Sequence, residues 1–150
     1  MTQRRIYQDQ SPYFVTTNSF AQYPSFCDDR FARYLSKNIF LFCQEYKFTL
    51  YGYCIMPDHL HLLVKPNGSL NISRVMCAIK STTATDLYKA GLLQDKLWHP
   101  RFMSRIINSR QEFDNKIRYI KNNPAAQGLE LKYQKLPYLY ICPEGLKSDS

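Results

Sequence analysis

Tyr53-Cys54-Ile55-Met56-Pro57-Asp58-His59-Leu60-His61-Leu62-Leu63-Val64 puts two of the chain's three histidines one residue apart inside an apolar run. Read as a strand, its side chains alternate with a period of two. His59 and His61 then share one face, while Leu60, Leu62 and Val64 share the other and bury. Two converging imidazoles are half of a metal site, because neutral imidazole is a common ligand for divalent cations. The competing reading is a pair of hydrogen-bonded histidines with a structural role only. The surrounding residues have to decide between them.

Working outward, residues 48–56 have strand composition, Pro57-Asp58 supplies a tight turn, and residues 59–65 complete a hairpin that Pro66-Asn67-Gly68-Ser69 ends. Upstream, Tyr13-Phe14-Val15-Thr16-Thr17 is β-branched and aromatic, and it reads as the first strand. Between these strands Phe31, Leu35, Ile39, Phe42 and Tyr46 recur at spacings of three and four. Asp28 and Asp29 stand at the start, where the helix dipole favours negative charge, so an amphipathic helix is predicted over residues 28–46. A second helix is predicted over 70–90, with Ile72, Val75, Met76, Ile79 and Leu87 on one side and Gly91 as its stop. Residues 101–107 alternate as a fourth strand, with Pro100 interrupting its start. The order βαββαβ predicts an α+β fold of the ferredoxin-like or RRM-like kind, a four-stranded antiparallel sheet with both helices on one face. No repeat or linker divides the chain. One domain over 1–150 is expected, with a basic arm over 1–11 that includes Arg4 and Arg5, and a C-terminal tail from about 129.

A third helix follows. Ser109-Arg110-Gln111-Glu112 is a capping box, Phe113, Ile117 and Ile120 make an apolar stripe, and Pro124 is expected to stop the helix. Tyr119 and Asn123, four residues apart, lie on one flank of that stripe. If this helix packs beside the third strand, Asn123 can offer its oxygen to a cation held by His59 and His61, and Tyr119 can aim its phenol at a bound phosphate. A phenol with a pKa of about 10 is a poor nucleophile alone. A metal drawing on a phosphate oxygen makes phosphorus more electrophilic and improves the leaving group.

Charge points to a polyanionic partner. Lys plus Arg number 20 against 12 Asp plus Glu, a net charge of +8, and nucleic acid is the leading candidate. Twelve tyrosines supply rings on which unpaired bases could stack. The five cysteines are odd in number, widely spaced and without a Cys-x-x-Cys pair, so they read as reduced thiols. No apolar run reaches signal-peptide or membrane-span length, and a cytoplasmic protein without a membrane partner is expected.

With these blocks in order, the sequence resembles the single-tyrosine HUH transposases of the IS200-like superfamily, and among them the REP-associated tyrosine transposases. The resemblance runs from Tyr13-Phe14-Val15-Thr16 through Met56-Pro57-Asp58-His59-Leu60-His61-Leu62-Leu63-Val64 and Leu97-Trp98-His99-Pro100-Arg101-Phe102 to Tyr119-Ile120-Lys121-Asn122-Asn123-Pro124. It implies a metal-dependent enzyme that cleaves and rejoins single-stranded DNA at hairpin-associated sites. By resemblance, Tyr119 is the catalytic nucleophile forming a 5′-phosphotyrosine, and His59, His61 and Asn123 are the ligands of Mg²⁺ or Mn²⁺. The place of action is the bacterial cytoplasm or nucleoid, and a homodimer is left open. Hairpin DNA with a short single-stranded tag gives the arm a task. Arg4, Arg5, Lys80, Arg101, Arg105 and Lys116 are the candidate DNA contacts, with Lys65, Arg118 and Lys121 as further backbone contacts. Asp58 stands where the family more often has Asn, Ala125-Ala126-Gln127-Gly128 replaces a run richer in valine and arginine, and Leu136-Pro137-Tyr138-Leu139-Tyr140 lacks a tryptophan-serine ending. The alternatives are a non-catalytic module binding single-stranded nucleic acid, and a zinc hydrolase, which would need an acidic general base.

Overall fold

In the computed structural model, which describes residues 11–68 and 70–143, the hairpin forms as the pattern predicts. The chain runs β1 (Tyr13–Asn18), α1 (Asp29–Glu45), β2 (Thr49–Met56), β3 (His59–Lys65), α2 (Ile72–Lys89), β4 (Met103–Ile106), α3 (Arg110–Ala126) and β5 (Leu139–Ile141). Short 3-10 turns lie at Phe20–Gln22, Ser25–Cys27 and Leu131–Gln134. All neighbouring strands pair antiparallel in the order β4-β1-β3-β2-β5. The first four strands are the expected ferredoxin-like sheet. β5 adds a fifth beyond β2.

The pleat sorts the side chains of β3 as its pattern requires. Leu60, Leu62 and Val64 are fully buried with Val15, Tyr53 and Ile55 beneath α1 and α2, which contribute Leu35, Ile39, Val75 and Ile79. Each such aliphatic side chain removed from water contributes about 1.5–3 kcal/mol. On the opposite face Cys54, Met56 and Leu63 pack against Ile117 and Ile120 of α3. The sheet is thus covered on both faces, and the histidine face belongs to α3.

Capping side chains fix the helix starts. Asp28 accepts from the Arg30 amide at 2.9 Å, Asn71 from that of Arg74 at 3.0 Å, and Ser109 from that of Glu112 at 3.1 Å. Gly91, at φ 76°, closes α2 as expected, with its own amide on the Tyr88 carbonyl and the Leu92 amide on the Leu87 carbonyl, each at 3.0 Å.

Three expectations need correction. Pro124 does not stop α3, which continues through Ala126. Proline deletes one helical hydrogen bond and costs about 3 kcal/mol in a helix interior, but Ile117 and Ile120 pack against the sheet, Asn123 reaches Cys54, and the burial of all three offsets it. The stop is Gly128, at φ 72°, whose amide bonds to the Ala125 carbonyl while the Leu129 amide bonds to the Pro124 carbonyl, both at 3.0 Å. The fourth strand begins at Met103 rather than at residue 101, because Trp98 bridges to Ser19 and the chain turns at Pro100 before it pairs with β1. Finally, the segment from 129, expected to be a tail, is part of the fold as far as it is described. Tyr133 and Tyr138 are fully buried, and β5 pairs Gly52 with Ile141, Tyr53 with Tyr140 and Cys54 with Leu139. The Tyr53 hydroxyl donates to the Pro137 carbonyl at 2.9 Å and accepts from Ser36 at 2.7 Å, tying β5, β2 and α1 together.

Candidate active site on the α3 face

Antiparallel register assembles the site from three strands. β1 places Thr16 opposite His61 and Asn18 opposite His59, and β2 places Cys54 opposite His61 and Met56 opposite His59. The two imidazoles meet edge to face, with centroids 4.7 Å apart and planes at 76°. Each has its Nδ1 engaged, that of His59 with an Asp58 carboxylate oxygen at 2.7 Å and that of His61 with the Thr16 hydroxyl at 2.9 Å. The carboxylate can only accept, so His59 donates from Nδ1 and its Nε2 is turned away from Asp58. A second group that fixes the ring and tautomer in this way is the usual companion of a metal-binding histidine.

His61 is buried, 7% exposed. Its pKa is pushed down to about 3, first by burial and then by the neighbouring His59 and the Lys116 ammonium. The ring is therefore neutral at physiological pH, the form that can ligate a cation.

α3 brings Tyr119 and Asn123 to the same face. The Tyr119 ring lies edge-on to His61 at 5.3 Å and to Phe14 at 6.0 Å, and the residue is 47% exposed. Phe14 stacks on His61 at 5.3 Å and so walls the site. Asn123 is buried one helical turn further on, and its carboxamide nitrogen donates to Cys54 Sγ at 3.9 Å. Cys54 is the register partner of His61, so Asn123 sits one strand away from it. Burial pushes the Cys54 thiol up to about 12, leaving it an uncharged neighbour. Two imidazoles and a carboxamide oxygen suit a hard or borderline divalent cation. Among the described residues no cluster of three His, Cys, Asp or Glu side chains offers a competing metal site.

The basic candidates separate. Lys116 belongs to the site, its ammonium 4.7 Å from the Phe14 ring centre and 5.9 Å from that of Tyr119. Arg105 pairs with Glu112, and Arg101 is exposed. A groove of about 710 Å³ along the β4 edge is lined by Arg101, Arg105, Ser104 and Asn108. It shares Arg105 with a second groove of about 510 Å³ that reaches Lys116. Lys80 is elsewhere, on α2, where its ammonium donates to the carbonyls of His99 at 2.8 Å and Arg101 at 3.2 Å and holds that loop in place. Arg4 and Arg5 lie outside the described residues. Asp58, Thr16 and Phe14 are the participants that sequence reasoning missed. The period of two in β1 marks Phe14 and Thr16 as sharing a face, but nothing local says which strand they stand beside.

Comparison with known proteins adds an independent line. The chain is 28% identical over 106 residues to a Haemophilus influenzae protein assigned as a REP-associated tyrosine transposase, covering 64% of this chain and 60% of that one. It thus spans less than two thirds of that relative's length. The structure of a REP-associated tyrosine transposase bound to a REP hairpin superimposes with a TM-score of 0.70 at 20% identity, covering 87% of this chain and 76% of that one. A Deinococcus radiodurans R1 protein assigned as a transposase superimposes with a TM-score of 0.58 at 20% identity, over 74% and 88% of the two chains. Both likenesses are of fold. The family model described as "Transposase IS200 like" matches residues 20–123, a span holding both histidines, Tyr119 and Asn123, and the chain belongs to that family.

Proposed function

We propose that this protein is a metal-dependent enzyme that nicks single-stranded DNA beside a hairpin and rejoins it through a covalent tyrosine intermediate. The observation that carries this reading is the packing of the Tyr119 phenol against His61, itself buried, neutral and paired with His59 at 4.7 Å. The hairpin is suggested by the REP hairpin held by the structural relative.

His59 and His61 would hold Mg²⁺ or Mn²⁺ through Nε2, with the Asn123 carboxamide oxygen as the third protein ligand. When bound, the cation would withdraw charge from a non-bridging phosphate oxygen and stabilise the departing one. The chain's own residues do the rest. Asp58 and Thr16 fix the two rings, Phe14 excludes water from one side of His61, and α3 aims Tyr119. The Tyr119 oxygen attacks phosphorus, the phosphorus–O3′ bond breaks, the phenolic proton passes to water, and the 3′ oxygen leaves as a hydroxyl after taking a proton. Attack by another 3′-hydroxyl reverses these steps and frees the phenol, so no nucleotide cofactor is consumed. The β4-edge groove with Arg101 and Arg105, and the adjoining groove that reaches Lys116, suit the phosphate backbone of the bound DNA.

Incubated with Mg²⁺ and a single-stranded oligonucleotide carrying a hairpin, the wild-type protein is expected to form an adduct that survives denaturing electrophoresis, and Tyr119→Phe to abolish it. An adduct that persists in Tyr119→Phe would overturn the assignment.

A further inference from the structure

A second surface adjoins the site on the side away from Tyr119. The segment after β1 folds back over the Pro57-Asp58 turn. The Ser19 amide and hydroxyl bond to the Asp58 carbonyl at 2.9 and 3.1 Å, and the Phe26 amide bonds to the Pro57 carbonyl at 2.9 Å. This turn carries the carboxylate that orients His59, so the segment and the candidate metal site share one scaffold. Within it Ala21 and Gln22 take left-handed conformations, φ 53° and 56°, which residues with a Cβ rarely adopt. They turn the chain so that Phe20 and Tyr23 stand out at 39% and 69% exposure. Lys96 lies over the Phe20 ring at 5.3 Å.

Phe20, Tyr23 and Lys96 border a cavity of about 740 Å³ that runs past Arg30 and Leu92. Those two residues also line the next groove, where Arg33, Tyr34 and Lys37 of α1 follow. The path so formed begins with two exposed rings and carries Arg30, Arg33, Lys37 and Lys96 beside Asp28 and Asp95, with Arg30 paired to Asp28 at 2.8 Å and Lys37 to Asp86 at 3.9 Å. Rings beside cations are the surface on which unpaired bases stack while the phosphates are neutralised.

The reaction gives this path an occupant. After nicking, the 5′ end is held covalently by Tyr119, but the flank ending in the free 3′-hydroxyl is held by nothing covalent and must be retained for rejoining. In an in-line displacement the leaving oxygen departs opposite the attacking one. Tyr119 packs on His61, and His59 lies further along β3 towards the Pro57-Asp58 turn, so departure opposite Tyr119 leads towards Phe20 and Tyr23.

We propose that Phe20 and Tyr23, with Lys96, Arg30, Arg33 and Lys37 behind them, form a second single-stranded DNA track that retains the 3′-hydroxyl flank after cleavage. Its polarity rests on the nicking reading above.

The test uses the full chain, Mg²⁺ and hairpin oligonucleotides with 2-aminopurine at successive positions of either single-stranded flank, whose fluorescence is quenched by stacking. In the wild type, quenching is expected at one or two positions of the flank that becomes the 3′-hydroxyl product. Phe20→Ala and Tyr23→Ala should relieve it and speed release of that product about tenfold or more. Adduct formation at Tyr119 should be unchanged, Tyr23→Trp should restore retention, and Arg33→Glu with Lys37→Glu should speed release without touching the quench. An adduct that forms while quenching and release ignore the ring substitutions overturns the track, as does Tyr23-dependent quenching confined to the other flank. A wild type that forms no adduct but shows Tyr23-dependent quenching supports the track as a DNA site and overturns the nicking reading instead.

Discussion

His61 carries two demands at once, burial under Phe14 and Tyr119 and a lone pair free for a cation, and its low pKa reconciles them. The same shift has a cost in acid. In the unfolded chain the ring takes a proton at about pH 6.5, whereas in the folded chain it does so only near pH 3. Between those values the unfolded state binds the extra proton, so stability rises with pH there. The contribution is fully present above about pH 6.5 and is lost as pH falls towards 3, a loss on the order of 5 kcal/mol. Urea unfolding at pH 7 and at pH 4.5 in the presence of a chelator should show the wild type losing about 1.4 kcal/mol per pH unit more than His61→Gln. A parallel pH dependence of the two proteins would refute this burial effect. Asp58 offers a second measurement. Its carboxylate only orients His59, so Asp58→Ala should leave the fold intact and weaken Mn²⁺ binding by roughly 10- to 100-fold, measured calorimetrically.

Among the elements, α3 and β5 respond to glycines far from the chemistry. Gly128 holds the left-handed position that closes α3, so Gly128→Ala should destabilise the protein by about 1–2 kcal/mol with Tyr119 and Asn123 still in place. Gly52 is under a harder constraint, because a Cβ there would lie 2.9 Å from the Tyr140 carbonyl oxygen and 3.1 Å from Ile141. Gly52→Ala should loosen β5 and expose the Cys142 amide, which bonds to the Tyr51 carbonyl at 2.9 Å, to hydrogen exchange ahead of β1 and β3. Equal protection of that amide in both proteins would count against the clash. These elements also show what a sequence makes legible. β1, α1, the β2–β3 hairpin and α2 were readable because their apolar periods and caps are local. The end of α3 was misread because a proline is a local signal, whereas the packing of Ile117 and Ile120 that outweighs it lies across the chain. β5 is three residues long and exists through its pairing with Gly52, Tyr53 and Cys54, which no pattern within 139–141 announces. In the site, His59, His61, Tyr119 and Asn123 could be singled out because period and helical spacing put each pair on one face. Thr16 and Phe14 could not, since only the β1–β3 register brings them to His61.

For the molecule as a whole, the net charge of +8 includes Arg101 and Arg105 in the β4-edge groove and Lys116 in the groove that adjoins it. Binding of single-stranded DNA should weaken steeply with salt. Arg101→Ala should lower the slope of log affinity against log salt by about one, and Arg105→Ala by less, because Glu112 already neutralises part of that charge. Lys80→Ala should leave the slope unchanged and act through the 99–101 loop, whose carbonyls its ammonium holds. The pleat of β3 sets a last constraint, one on the gene rather than on any side chain. His59 and His61 face α3 only because they are odd-numbered neighbours of Leu60, Leu62 and Val64, which face α1 and α2. Inserting or deleting a single codon between Met56 and His59 exchanges the two sets, sinking the imidazoles into the aliphatic layer and turning three aliphatic side chains towards α3. Length variation should therefore be tolerated in the loops around Gly68 and Gln94 and be absent from this hairpin, so that its phase is inherited as strictly as its histidines.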